Sequence, residues 1–215
     1  MGEIMIELSV DVDEIQHRLG VLADKSGEVI ARAVNRSYPT GKSAIAKETR
    51  KRYYVTAKDI NDGLNTTKAT AASPTAKLNY TGKHKNLYLW NRQRAVTPNV
   101  IIHWPQGRGG SPNVKVYKAS VSRGHSKLSL LGDNKPFIQR VRSGEKGEFV
   151  GLFRRVKDGK RGKNNIVGLE SVQAPAIPQI IKNEEVMAQF RRAAGPMLQK
   201  RLEHEIDVVM KGIVR

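Results

Sequence analysis

Gly41-Lys42-Ser43 has the residues that close a phosphate-binding loop. In the full signature a glycine stands five residues earlier, so that backbone N–H groups wrap the phosphates while the lysine reaches them. That position is Arg36, and the Val29–Val34 stretch ahead of it has helical spacing where a strand is needed. The triplet therefore reads as a solvated helix kink. The five histidines, His17, His84, His103, His125 and His204, include no pair at a metal-ligand spacing, and the chain has no cysteine to complete a site. His17 and His204 fall in helical patterns as surface or boundary residues. His125 beside Ser126 has the types of a base and a nucleophile. Neighbours in sequence seldom have that geometry, and the setting is a Gly/Ser-rich loop.

Carboxylates are as sparse where they would matter. Residues 81–165 contain only Asp133, Glu145, Glu148 and Asp158. Metal-assisted phosphodiester cleavage needs several acidic ligands converging on one site. Glu145 and Glu148 flank a hairpin signal and read as solvated turn residues. No catalytic constellation emerges, and the expectation is a protein without enzymatic activity, metal or cofactor.

Basic residues are plentiful. Arg154, Arg155, Lys157, Lys160, Arg161 and Lys163 crowd the turn signal Asp158-Gly159. Lys83, Lys85, Arg92, Arg94, Arg108, Lys115, Lys118, Arg123 and Lys127 precede them, interleaved with Tyr88, Trp90, Trp104 and Tyr117. Such a mixture binds backbone phosphate and stacks bases. It equally suits aromatics packed in a small satellite core, with the charges solvated or facing an acidic protein. No zinc finger, ribonucleoprotein motif or clear helix-turn-helix favours the first reading.

The charge is unevenly placed. The 215-residue chain carries 38 Lys and Arg against 20 Asp and Glu, a net of +18. Residues 81–165 hold 19 basic and 4 acidic side chains, net +15, whereas residues 1–80 net +2 and residues 166–215 net +1. The length suits one domain, or two small ones, with a genuine core. Absence of cysteine excludes disulfide scaffolds and thiolate chemistry. No apolar run approaches the ~18–20 residues of a membrane span, and no signal-peptide pattern opens the chain. The expectation is a soluble protein made inside the cell, with no membrane partner.

The elements that carry these residues follow from periodicity. Ile4, Ile6 and Leu8 alternate as a strand. Asp11 or Asp13 opens a helix with Ile15, Leu19 and Leu22 on one face, continued by Val29, Ile30, Ala33 and Val34. A break or kink is expected near Pro39 and Gly41, then helix again to about Tyr53 and a short capped helix over 57–64. Strand character runs from Lys68 to about Leu89. Residues 83–135 are rich in Gly, Pro, Ser and basic side chains, with strand pieces at Val100–Trp104 and Val114–Tyr117. They read as a loop or arm with little apolar surface to offset ordering entropy. Phe137–Arg142 and Glu148–Val156 form a hairpin, followed by a strand near Ile166–Val172. Asn183 caps a closing helix interrupted at Gly195-Pro196, with Leu198, Leu202, Ile206, Val209 or Met210, and Ile213 on its stripe. The fold class is α+β, with N- and C-terminal amphipathic helices on a mostly antiparallel sheet. The whole chain is one domain with the 83–135 arm inserted.

The order of segments carries a resemblance. Ala33-Val34-Asn35-Arg36 and Lys47-Glu48-Thr49-Arg50 lie in the first helix, and Lys135-Pro136-Phe137-Ile138 follows the basic middle. A hairpin ending in Phe153-Arg154-Arg155, the run Ala174-Pro175-Ala176-Ile177-Pro178 and a final helix with Pro196 complete it. From about residue 15 to 213 this order resembles the minor tail protein Z family of tailed bacteriophages and prophages, the tail completion proteins. The resemblance implies a structural virion protein, present in host cytoplasm during assembly and then in the tail, at its head-proximal neck end. It implies rings, commonly six-fold, of α+β subunits, with tail terminator, tail tube, tape measure or neck proteins as partners. It carries no catalytic residues. Tyr38-Pro39-Thr40-Gly41 and the long 83–135 segment depart from the family pattern. The expected contacts with partner proteins or packaged DNA are Lys83, Lys85, Arg92, Arg94, Lys115, Lys118, Arg123, Arg154, Arg155, Lys157, Lys160, Arg161 and Lys163. A free, sequence-nonspecific nucleic-acid-binding protein using residues 81–165 is the alternative, and a phage nuclease a weaker third.

Overall fold

Alternation in the first residues becomes strand β1 (Gly2–Leu8), which buries Ile6 and exposes Met5 and Glu7. The computed structural model describes residues 2–89, 96–103, 113–130, 136–142, 148–155 and 168–212. The chain divides into two compact units. The first comprises residues 1–51, 57–83 and 176–215, and the second comprises residues 52–56 and 84–175.

In the first unit, β1 pairs antiparallel with β3 (Ala76–Gly82), Gly2 opposite Gly82 and Leu8 opposite Ala76. On its other edge β3 pairs with β2 (Leu64–Thr67). β3 turns Ala76, Leu78 and Tyr80 to the interior, so its two-residue period defines the buried face of the sheet. Helix α1 (Val12–Leu19) starts where the Asp11 carboxylate accepts the Asp13 N–H at 3.0 Å. It ends at Gly20, whose φ of 55° closes the turn as a side-chain-bearing residue would not.

Two long helices supply most of the core. α2 (Ser26–Arg52) buries Val29, Ile30, Ala33, Val34, Ser37, Gly41 and Ile45 along one side. α5 (Glu184–Lys211) opens where the Asn183 side chain accepts the Glu185 N–H, and buries Val186, Phe190, Ala194, Leu198, Leu202 and Ile206 at a strict four-residue spacing. Each step advances the stripe by about 40° around a helix of 3.6 residues per turn, so it winds across the helix surface. Ile15, Leu19, Val29, Ile30, Val34, Ala76, Leu198, Leu202 and Ile206 form one buried cluster that joins α1, α2, β3 and α5. The buried carboxylate of Glu205 is paired with Arg36, tying α5 to α2 by charge as well.

Neither helix is divided: the break that was one of two alternatives near Pro39 and Gly41, and the interruption expected at Gly195-Pro196, are both absent. α2 runs through Pro39 and α5 through Gly195-Pro196. An interior proline costs a helix about 3 kcal/mol. Each fully buried aliphatic or aromatic side chain contributes about 1.5–3 kcal/mol. Ile30, Val34 and Ile45 around Pro39, and Phe190, Leu198 and Leu202 around Pro196, outweigh one missing hydrogen bond per helix. Gly41 is buried rather than solvated. A Cβ there would lie 2.4 Å from Phe190 Cε2 and 3.2 Å from the Ala194 Cβ, so the glycine lets α2 and α5 approach closely. This mid-helix packing role also removes the phosphate-loop reading.

Other boundaries shift. The helix expected over 57–64 is α3 (Ala57–Asn61), because Leu64 already belongs to β2. Strand character from Lys68 to Leu89 is confined to β3, with a 3-10 turn at Leu87–Leu89. α4 (Ile177–Ile181) begins beside Pro178, with Gln179 Oε1 accepting the Ala176 N–H at 2.9 Å.

The second unit holds two antiparallel three-stranded sheets. One is ordered β4 (Val96–His103), β5 (Asn113–Ala119), β6 (Leu128–Ser129). The other is ordered β7 (Phe137–Arg142), β8 (Glu148–Arg155), β9 (Leu169–Ser171). β7 and β8 match the expected hairpin almost to the residue. The turn signals at 143–147 and Asp158-Gly159 lie outside the described residues. The class is α+β.

Candidate interaction surface

Charge follows the division into units. The second unit contains 19 Lys and Arg against 5 Asp and Glu, a net of +14, and the first nets +4. All but one of the anticipated contact residues belong to the second unit. The exception is Lys83, exposed at the end of its segment of the first. Lys85 is exposed, and its backbone carbonyl accepts the Ala174 N–H at 2.9 Å. Lys115 and the half-buried Lys118 lie on β5. Arg92, Arg94, Lys157, Lys160, Arg161 and Lys163 lie outside the described residues.

Two groups of the remainder have definite geometry. On the β7–β8–β9 sheet, Arg154 faces Glu170 across the β8–β9 register, with Nε 2.9 Å from Oε2. That hydrogen bond, with the charge behind it, raises the arginine's pKa and lowers the carboxylate's. Both side chains are exposed, so the pair adds little to stability. Arg155 lies with Cζ 6.0 Å from the centroid of the Phe137 ring.

The second group forms where residues 52–56 lie along the β5–β6 connection. Tyr54 N–H donates to Val121 O at 2.9 Å, and Arg52 O accepts the Arg123 N–H at 2.7 Å and the Ser122 hydroxyl at 3.3 Å. On this strap, Arg123 Nε donates to Tyr53 O at 3.1 Å and Arg123 Cζ sits 5.2 Å from the Tyr54 ring centroid. Lys127 Nζ lies 5.5 Å from the same centroid and donates to Thr97 Oγ1 at 2.9 Å. Partial burial lowers the Lys127 pKa. Tyr54 was not among the anticipated contact residues. Its only sequence signal was an aromatic followed, some seventy residues later, by the Ser/Arg/Lys-rich run 120–127.

The other candidates stay apart. His17, His125 and His204 are exposed, and His84 Nδ1 donates to Ala174 O at 2.9 Å. Among the described residues no group of three or more His, Asp or Glu is placed to hold a metal ion. Asp133, Glu145 and Asp158 lie outside the described residues, and Glu148 begins β8. Among the described residues no helix is long and apolar enough to cross a membrane. No family model, curated protein or solved structure matches the chain.

Proposed function

We propose that this chain is a structural virion protein of a tailed bacteriophage or prophage, a minor tail or tail completion subunit that acts at the head-proximal neck of the tail. The observation that carries the reading is that residues 52–56 and 84–175 form a strongly basic unit of net +14, while the rest of the chain forms an α+β unit of net +4. Such a division suits a ring subunit. One part supplies a self-sufficient core, and the other presents a surface to neighbours. The segment order that resembles the minor tail protein Z family supports the same reading. Copies of the chain form a ring, six-fold by that resemblance, and the basic unit meets tail-tube, terminator, tape-measure or neck proteins or the DNA that passes through. The role is structural rather than catalytic.

Isolation of intact tails from the phage or prophage encoding the chain tests the proposal. The subunit should be found by mass spectrometry in stoichiometric amounts, a small multiple per particle. Tails complete without it would overturn the reading. The second reading, a free nucleic-acid-binding protein, is favoured by the pairing of Arg123 and Lys127 on one tyrosine ring. It requires DNA binding by the isolated chain and its absence from particles.

A further inference from the structure

We infer that Tyr54, Arg123 and Lys127 build a binding site for the backbone phosphates of nucleic acid. The inference deepens the proposed reading of the basic unit as a contact surface by naming the polyanion it contacts.

The geometry is that of an anion clamp held from behind. Arg123 is anchored on one edge, its Nε on Tyr53 O, and its planar head lies against the Tyr54 ring. Among the described residues its two terminal guanidinium nitrogens have no protein acceptor, so the opposite edge presents a paired N–H fork. That fork matches two oxygens of a phosphate or carboxylate, and fixing it beforehand lowers the entropy lost on binding. Lys127 brings a second cation to the same ring. Ser122 and Ser120 hold the backbone of the turn, through Ser122 Oγ to Arg52 O and Ser120 Oγ to Ser122 O at 2.6 Å.

A phosphodiester fits better than an acidic protein segment. The unit's 19 basic residues are spread along its sequence from Arg52 to Lys163 rather than gathered in one run. A polymer with regularly repeated charge can meet cations at many points. An acidic peptide matches them only locally.

The test is equilibrium binding of the purified full-length chain to a fluorescein-labelled DNA duplex, followed by anisotropy between about 50 and 200 mM salt. Arg123→Gln and Lys127→Gln should each weaken binding several-fold and make the log–log salt slope shallower by about 0.9. Lys182→Gln in the first unit should bind as wild type. Arg123→Lys should preserve the slope and lose affinity, because charge remains while the fork is gone. Thermal melts establish that each variant is folded, and Lys127→Gln carries the test if Arg123 variants loosen the strap. Wild-type binding by both Gln variants overturns the site. So does polyglutamate that binds as tightly as DNA and loses as much on substitution. A wild-type chain without DNA affinity at low salt overturns it too, whether or not the chain enters a tail. DNA binding through these residues by a chain absent from particles upholds the site and overturns the tail reading instead.

Discussion

The side-chain amide of Asn86 pairs with the backbone of Leu152 as a neighbouring strand would. Its Oδ1 accepts the Leu152 N–H at 2.9 Å, and its Nδ2 donates to Leu152 O at 2.8 Å. The same Oδ1 accepts the Tyr88 N–H at 3.0 Å, and Nδ2 also reaches Ser171 Oγ at 2.8 Å. One buried amide thus joins the turn after residue 85 to β8 and β9. Asn86→Ala strands the buried Leu152 N–H and should cost about 2–4 kcal/mol. Asn86→Asp keeps the acceptor but places a carboxylate against Leu152 O, and should be comparably damaging. Urea unfolding followed by amide exchange on β8 reads the effect, and a loss under about 0.5 kcal/mol would contradict this account.

Gly41 and Phe190 give a prediction with two competing signs. Alanine in place of an interior helical glycine ordinarily stabilises by about 1 kcal/mol. Here its Cβ would meet Phe190 Cε2 at 2.4 Å. Overpacking of that kind costs about 1–3 kcal/mol. Gly41→Ala should therefore lose up to about 2 kcal/mol. A double-mutant cycle with Phe190→Leu should show a coupling above about 0.5 kcal/mol. Additive effects would mean that the contact is unimportant.

Glu170 neutralises Arg154 on the β7–β8–β9 sheet. Glu170→Gln should leave the melting temperature nearly unchanged, since the pair is solvated. It should strengthen binding to duplex DNA and steepen the salt slope by up to about 0.9 as Arg154 is released. Unchanged or weaker DNA binding would remove Arg154 from the contact surface.

Lys127 supplies a pH dependence. Burial lowers its pKa, so it loses its proton at a lower pH than an ordinary lysine. A phosphate beside it favours the charged form, so binding in the alkaline range should take up protons. Affinity should decline as pH rises through that lowered range, and Lys127→Arg, which stays charged, should hold affinity further. Parallel pH profiles for the two proteins would contradict a charged contact at this position.

Much of the local structure was legible because it follows local rules. Asp11 or Asp13 marked the opening of the first helix and Asn183 the cap of the last, and the turn residues 143–147 between two strand candidates marked the hairpin. Pro39 and Pro196 misled for a physical reason. The cost of an interior proline is local and visible, whereas the burial that offsets it is tertiary and spread along the helix. Gly41 looked like a hinge because nothing near it in sequence announces Phe190. The basic surface was legible in bulk from charge alone. Its clustering was not, since Arg123 reaches Tyr53 across 70 residues of chain.

The central claim is that the basic unit is a contact surface within a tail. A cryo-EM reconstruction of the assembled tail tests it most directly. The expected result is a closed ring of this chain at the head-proximal end, with residues 84–175 turned toward neighbouring tail proteins or the DNA passage. A ring whose basic units face empty solvent, or a complete tail with no density for the chain, would contradict it.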